Sequence, residues 1–181
     1  MNFTNHFIIS MPHLSDPFFE RCIVLLCDHT DDGAMGLIIN KNLPKARNIE
    51  ILKQTKLWKA KPKPRIYMGG PVQMNRGLVL HDTNYKNAET QKISQNLLLT
   101  TNKIIVDDLV DGKGPEKFRI MFGYAGWSPG QLEREYENGD WLMLPASNEF
   151  IFDIPDEKKW KTASSTFGID VSDFYSKPGF S

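Results

Sequence analysis

Phe18–Asn40, FFERCIVLLCDHTDDGAMGLIIN, is the stretch whose reading decides the fold. Cys22 to Leu26 and Leu37 to Ile39 are nearly continuous aliphatic and β-branched runs, which suit strands covered on both faces better than strands with one wet side. The turn between them is polar. Asp32-Gly33 is a hairpin dipeptide, since glycine accepts φ > 0 without a Cβ clash and aspartate tolerates it. The spacing predicts a buried hairpin with its acidic tip turned outward. Cys27, Asp28, His29, Asp31 and Asp32 around that turn form the densest group of reactive or metal-capable side chains in the chain.

Working outward, Phe3 to Met11 holds Phe7, Ile8 and Ile9 and predicts a short first strand ending at Pro12. Asp16-Pro17 has the form of a helix N-cap followed by proline, so one turn is expected before the hairpin. Beyond the Leu43-Pro44 break, Ile51, Leu52, Thr55 and Trp58 fall at helical spacing. Lys59 to Arg65, KAKPKPR, reads as a solvated connector. Ile66 to Val72 and Gly77 to His81 are expected as two strands about a Gly-Gly-Pro turn. Asp82 to Lys92 reads as a loop or weak strand, Leu97 to Thr101 as a strand, and Lys103 to Val110 as a helix ended by Gly112 and Gly114-Pro115.

Phe118 to Tyr124 is strongly β-type. The helix after it carries a capping box, with Ser128 as cap, Pro129 in the first turn and Gln131 three residues on, Leu132 and Tyr136 on one face and Asn138-Gly139 as the stop. Trp141 to Leu144 and Phe150 to Phe152 read as strands, and a last helix begins near Pro155 with Trp160, Ala163 and Phe167 on one face. The tail from Gly168 is mostly polar. Strands outnumber helices and do not alternate regularly with them, which argues for an α+β fold over a doubly wound parallel sheet.

With 181 residues the chain suits one domain, 1–181, with one substantial core. Lys+Arg and Asp+Glu both total 22, so no overall charge steers it to nucleic acid or anionic lipid. No apolar run approaches the length of a membrane span, and Met1 to Pro12 lacks the basic start of a secretory signal, so a cytoplasmic protein without a membrane partner is expected. Cys22 and Cys27 would point to opposite faces of a strand, against a disulfide between them.

Three ordered blocks, DPFFERCIVLLCDHTDDGAMGLIIN, IYMGGPVQMNRGLVLH and GYAGWSPGQLEREYENGDWL, with the trailing WKTASSTFGID, resemble the signature stretches of the AlgH/YqgE family of bacterial proteins. The resemblance covers most of the chain. It implies an α+β domain in which a bifurcated, mixed β-sheet curls into a pseudo-barrel flanked by helices. It implies no reaction, since members are commonly labelled uncharacterised or putative transcriptional regulators. Cys22 stands where the family usually has a small hydroxyl residue, Asn42-Leu43-Pro44 adds a residue before the proline, and the Pro178-Gly179-Phe180 ending lacks the histidine common in relatives.

Four site readings follow from residue chemistry. Cys27 and His29, two apart on a regular strand, would share a face, and an imidazolium beside a thiol favours the reactive thiolate; the competing reading is a small buried hydrophobe and a turn histidine bonded to backbone. Asp28, Thr30 and Asp32-Gly33 mimic the start of a calcium loop, but Ile39 occupies the position of the closing Glu, and His6, His13 and His81 form no zinc motif with Cys27, so no metal is expected. Gly69 and Gly70, with Arg76, His81 and the helix start at Ser128, are the candidate anion-binding residues; tight turns and capping explain most of them without a ligand.

Lys53, Lys56, Lys59, Lys61, Lys63 and Arg65 form the basic cluster, with Trp58 among them, open to phosphate contact but without any nucleic-acid-binding motif. The expectation is a regulatory or interaction protein that uses no cofactor and takes a protein partner or small anionic ligand, with a thiol enzyme or redox sensor on Cys27 as the alternative.

Overall fold

The hairpin forms with its turn one residue earlier than the Asp32-Gly33 dipeptide suggests, and the sheet grows from both of its edges. The computed structural model describes residues 2–14 and 16–167, so the tail and its Pro178-Gly179-Phe180 ending lie outside the described residues. β2 (Ile23–Thr30) and β3 (Gly33–Ile38) pair antiparallel, with Asp31 and Asp32 exposed at the tip. Gly33 is the first paired residue of β3, opposite Thr30, so the turn itself is Asp31-Asp32. Asp16 caps the turn before β2 by accepting the Phe18 N–H at 2.8 Å.

β1 (His6–Ser10) pairs with β2, and β9 (Trp141–Pro145) covers its other edge. On the far side, β3 pairs with β8 (Phe118–Trp127), then come β5 (Val72–His81), β7 (Leu98–Thr100) and β6 (Thr90–Lys92). All these pairings are antiparallel; among the described residues β4 (Ile66–Met68) alone runs parallel, beside β8. The result is α+β, a mixed sheet curled into a half-barrel and flanked by helices.

Alternation along β2 sends its side chains into two apolar layers. Leu25 and Cys27 meet Leu37, Trp160 and Ala163 on one face, while Val24 and Leu26 meet Ile38, Trp127 and Trp141 on the other. A third layer joins Ile51 of α1 (Lys45–Gln54) and Ile105 of α2 (Ile104–Val110) to Val79 and Ile120 of the sheet. No helix among the described residues is long and apolar enough to cross a membrane.

The sheet divides along β8. Phe118 to Phe122 pair with β5, and Ile120 to Phe122 also with β4, whereas Ala125 to Trp127 pair with β3. At the fork the Gly69 N–H donates to the Phe122 carbonyl and the Gly69 carbonyl accepts the Ile38 N–H, both at 2.8 Å. The chains touch backbone to backbone. A Cβ on Gly69 would lie 2.2 Å from the Gly123 carbonyl oxygen, and one on Gly70 2.1 Å from the Tyr124 carbonyl carbon. Gly123 adds a left-handed φ of +74°, a conformation that side chains resist.

α5 (Asp156–Thr166) is held to the sheet by buried charge. Asp156 accepts from Arg119 at 2.9 Å, Lys159 at 3.0 Å and the Tyr67 hydroxyl at 2.9 Å, and the Arg119 guanidinium lies over the Tyr67 ring at 4.4 Å. Burial pushes the Asp156 carboxyl up, but Arg119 and Lys159 outweigh it and hold it below the usual value. Removing the carboxylate would strand two cations, which is why such a cluster resists piecemeal change.

Several expectations need correction. Phe150–Phe152 is not a strand: it lies in α4 (Asn148–Phe152), whose Ser147 cap accepts the Phe150 N–H at 3.2 Å, a signal that a three-residue apolar run conceals. α3 (Gln131–Glu137) has Gly130 and not Ser128 at its N-cap, and only half of the capping box forms, the Gln131 side chain accepting the Ser128 N–H at 3.0 Å. α1 ends at Gln54, extended Thr55 starts a 3₁₀ turn (Lys56–Lys59), and the altered phase buries Leu57 and leaves Trp58 54 % exposed. Phe167 follows the last turn of α5 and is exposed, so it does not share the buried face of Trp160 and Ala163.

Gly123→Ala is expected to cost about 2 kcal/mol or more in urea unfolding, from a strained φ plus backbone overlap. Gly77→Ala is its control, because a Cβ there meets only the Phe122 ring at ordinary contact distance and should change stability by less than about 1 kcal/mol.

Candidate functional site

A cleft of about 490 Å³ opens between the sheet and the helical layer that covers it. Its floor is the upper surface of the third apolar layer, where Leu57, Val79, Ile105 and Ile120 meet, with Leu78 and Phe122 beside them. Local capping shapes the walls. The Thr55 hydroxyl accepts the Leu57 N–H at 3.4 Å and caps the 3₁₀ turn, while the Asn102 side-chain oxygen accepts the Ile104 N–H at 2.9 Å in the turn that leads into α2. Lys56 and Asp107 meet at the mouth, where they pair at 2.7 Å.

The opposite wall comes from a break in β5. Val72 pairs with Tyr124 and Gly77 with Phe122, so the four residues Gln73 to Arg76 face the single residue Gly123. This irregular, larger-than-usual bulge is exposed, bends through Gln73 at φ +47°, and sets Asn75 and Arg76 on the rim. Asn75 is steadied by a hydrogen bond from Arg47, and Arg76 donates to the neutral Gln73 oxygen at 3.3 Å. Lys103 completes the rim.

Among the candidate anion residues, Arg76 lines the cleft and His81 lies one step beneath it. The fully buried His81 sits with Nδ1 2.7 Å from the Asp82 carbonyl, which requires the proton there, so Nε2 accepts from the Thr100 hydroxyl at 2.8 Å, and Thr100 lines the cleft. Burial lowers the His81 pKa and keeps the ring neutral. Gly69 and Gly70 sit at the fork instead, where the Gly69 N–H is already bonded to Phe122. Ser128 lies past the fork, beyond the end of β8, its N–H taken by Gln131. The sequence reading missed Asn75, Thr100 and Lys103; the polar QMNR break inside IYMGGPVQMNRGLVLH was the available signal for the first.

Cys27 and His29 do not share a face. Leu26 pairs with Gly36 and Asp28 with Met35, so Cys27 is the extra residue of a β-bulge and the alternation reverses after it. Cys27 stays in the layer of Leu25, its S–H toward the Leu25 carbonyl at 3.6 Å. His29 turns to the other layer and stacks on Phe3 at 4.9 Å. Its Nδ1 accepts the Phe3 N–H at 3.0 Å, which leaves Nε2 to donate to Glu133 at 2.8 Å. That imidazole ties the N-terminal segment and α3 to the hairpin.

Burial pushes the Cys27 thiol up from its ordinary range, and Cys22, in the other layer, up to about 12. Neither is paired. Among the described residues no group of three or more His, Cys, Asp or Glu side chains is placed to hold a metal ion. The basic cluster fans out: Lys56 faces the cleft, Lys59 lies 5.3 Å over the Trp58 ring, and Arg65 reaches toward Asp156 at 3.8 Å.

Fold and cleft together define an α+β half-barrel protein with a lateral cleft between its sheet and its helical layer. The chain belongs to the AlgH-like family, whose profile matches residues 7–172. It is 39 % identical over 182 residues to the UPF0301 protein PSHAa2600 of Pseudoalteromonas translucida, covering 97 % of this chain and 96 % of that one, and 38 % identical over 176 residues to a UPF0301 protein of Nitrosococcus oceani, covering 94 % and 92 %. The solution structure of the AlgH protein from Pseudomonas aeruginosa superposes with a TM-score of 0.78 at 36 % identity, over 100 % of this chain and 97 % of that one. Protein DIP2367 from Corynebacterium diphtheriae shares the fold, with a TM-score of 0.70 at 19 % identity over 90 % and 85 % of the two chains.

In the folded protein both cysteines should resist iodoacetamide at pH 7.5 and react only on unfolding, which mass spectrometry of the quenched protein would read. His81 gives a signed pH effect. Below its ordinary value of 6.5 the unfolded chain binds a proton that the folded chain, with its lowered pKa, refuses. Wild-type stability relative to His81→Gln should therefore fall as pH drops from 7.5 to 5.5, in paired urea titrations.

Proposed function

We propose that this is a regulatory protein that acts by binding, in the cytoplasm, and that the cleft beside α2 receives what it binds. The single observation that carries the reading is the cleft itself: a concave apolar floor ringed by a few polar and cationic groups, held on rigid elements, is the usual form of a small-ligand site. Its walls belong to two different layers, the bulged strand β5 on one side and the 3₁₀ turn with α2 on the other. Occupation would bridge them, so a ligand bound there gains leverage over how the helical layer sits on the sheet. Two unpaired cysteines suit a reducing compartment.

The reading is tested with a neutral apolar fluorophore, N-phenyl-1-naphthylamine. Saturable one-to-one binding is expected, weakened at least about fivefold in Gly77→Leu, whose side chain fills the mouth against Phe122. No saturable binding, or equal binding to the filled variant, would overturn it.

A further inference from the structure

Resting on that reading, we infer that the cleft takes a small amphiphilic anion, with an apolar body on the Leu57–Val79–Ile105–Ile120 floor and a carboxylate or phosphoryl head on Arg76. Charge complementarity at the rim selects the class. The mouth carries three cations, Lys56, Arg76 and Lys103, against the carboxylate of Asp107. Lys56 spends its charge on Asp107 at 2.7 Å. Among the described residues Arg76 and Lys103 have no carboxylate within ion-pair distance, so two positive charges border an apolar floor unanswered.

Arg76 is also the rim cation whose shape fits an oxyanion. Its planar fork offers parallel N–H donors that match a carboxylate or phosphoryl group, and its one side-chain hydrogen bond goes to the neutral Gln73 oxygen, leaving other donors available. The bulge explains why it is there. Four residues leave the ladder opposite Gly123, one of them in a left-handed conformation, and the departure carries Arg76 to the rim. Backbone irregularity of this kind costs stability and persists where it re-aims a side chain. The scale favours a small molecule over a protein segment, since about 490 Å³ falls within the roughly 300–1,000 Å³ typical of small-ligand pockets and the cleft is walled on both sides.

Three probes of equal chain length separate the claims: octanoate, octyl phosphate and 1-octanol, titrated into the full chain while the backbone amides of Val79, Thr100, Lys103 and Ile105 are followed by NMR. Octanoate and octyl phosphate should shift these amides saturably and bind at least about fivefold tighter than 1-octanol. Whichever of the two binds tighter identifies the head group. Arg76→Met, an exposed substitution, should erase the preference while leaving 1-octanol binding unchanged; a merely structural role would weaken all three alike. Binding of 1-octanol as tight as octanoate overturns the anionic head and leaves the cleft reading standing. Failure of all three where the neutral fluorophore binds overturns the ligand class, as does displacement of the fluorophore by an acidic peptide alone; failure of the fluorophore too removes the cleft reading itself.

Discussion

Backbone pressed against backbone at Gly69, Gly70 and Gly123 is the constraint on which the rest of the molecule depends. Along one edge β8 pairs first with β4 and then with β3, while β5 takes the other edge, and the change of partner leaves no room for a side chain at the crossing. β4 fits into the fork, and Gly69, the residue after it, hydrogen-bonds to both β8 and β3, its N–H to the Phe122 carbonyl and its carbonyl to the Ile38 N–H, without a bridging side chain. The fork divides the sheet into two arms. One holds the buried hairpin between two apolar layers; the other carries β5, β7 and the floor of the cleft.

Two bulges then decide where chemistry lies. The one at Cys27 reverses the alternation of β2, keeping the thiol in one layer and sending His29 to the other. The one from Gln73 to Arg76 faces Gly123 across the ladder, so the residue that opens the fork is also the residue opposite the rim of the cleft. A single local irregularity therefore shapes both the fork and the cleft. The buried Asp156 cluster secures the layer of Leu25 and Cys27 by pinning α5 to Arg119 of β8 and Tyr67 of β4, the two strands that meet in the fork.

Much of the framework was legible in the chain. The hairpin was readable because unbroken β-branched runs flanking Asp-Gly have few alternatives, and the long FRIMFGY run announced β8. Where the reading failed, a local signal was weak or ambiguous. Phe150–Phe152 was too short to show a period, so the Ser147 cap decided it as helix, and the 3₁₀ turn after Thr55 shifted the helical phase that would have buried Trp58. At Gly69 and Gly70 glycine is required by close backbone approach at the fork, a tertiary contact that the tight turn expected from the Gly-Gly-Pro run did not specify.

The sequence by itself determined most of the secondary elements, the α+β class and the burial of the hairpin, because these follow from apolar periodicity and turn chemistry within a few residues. Only the tertiary structure decided which side chains meet. A bulge changes pairing phase and with it the face each later residue takes, so the separation of Cys27 from His29 and the arrival of Arg76 and Lys103 at one cleft could not be counted off along the chain. The cleft is likewise assembled from strands and turns that are distant in sequence, and contacts at that range are set by how the layers pack.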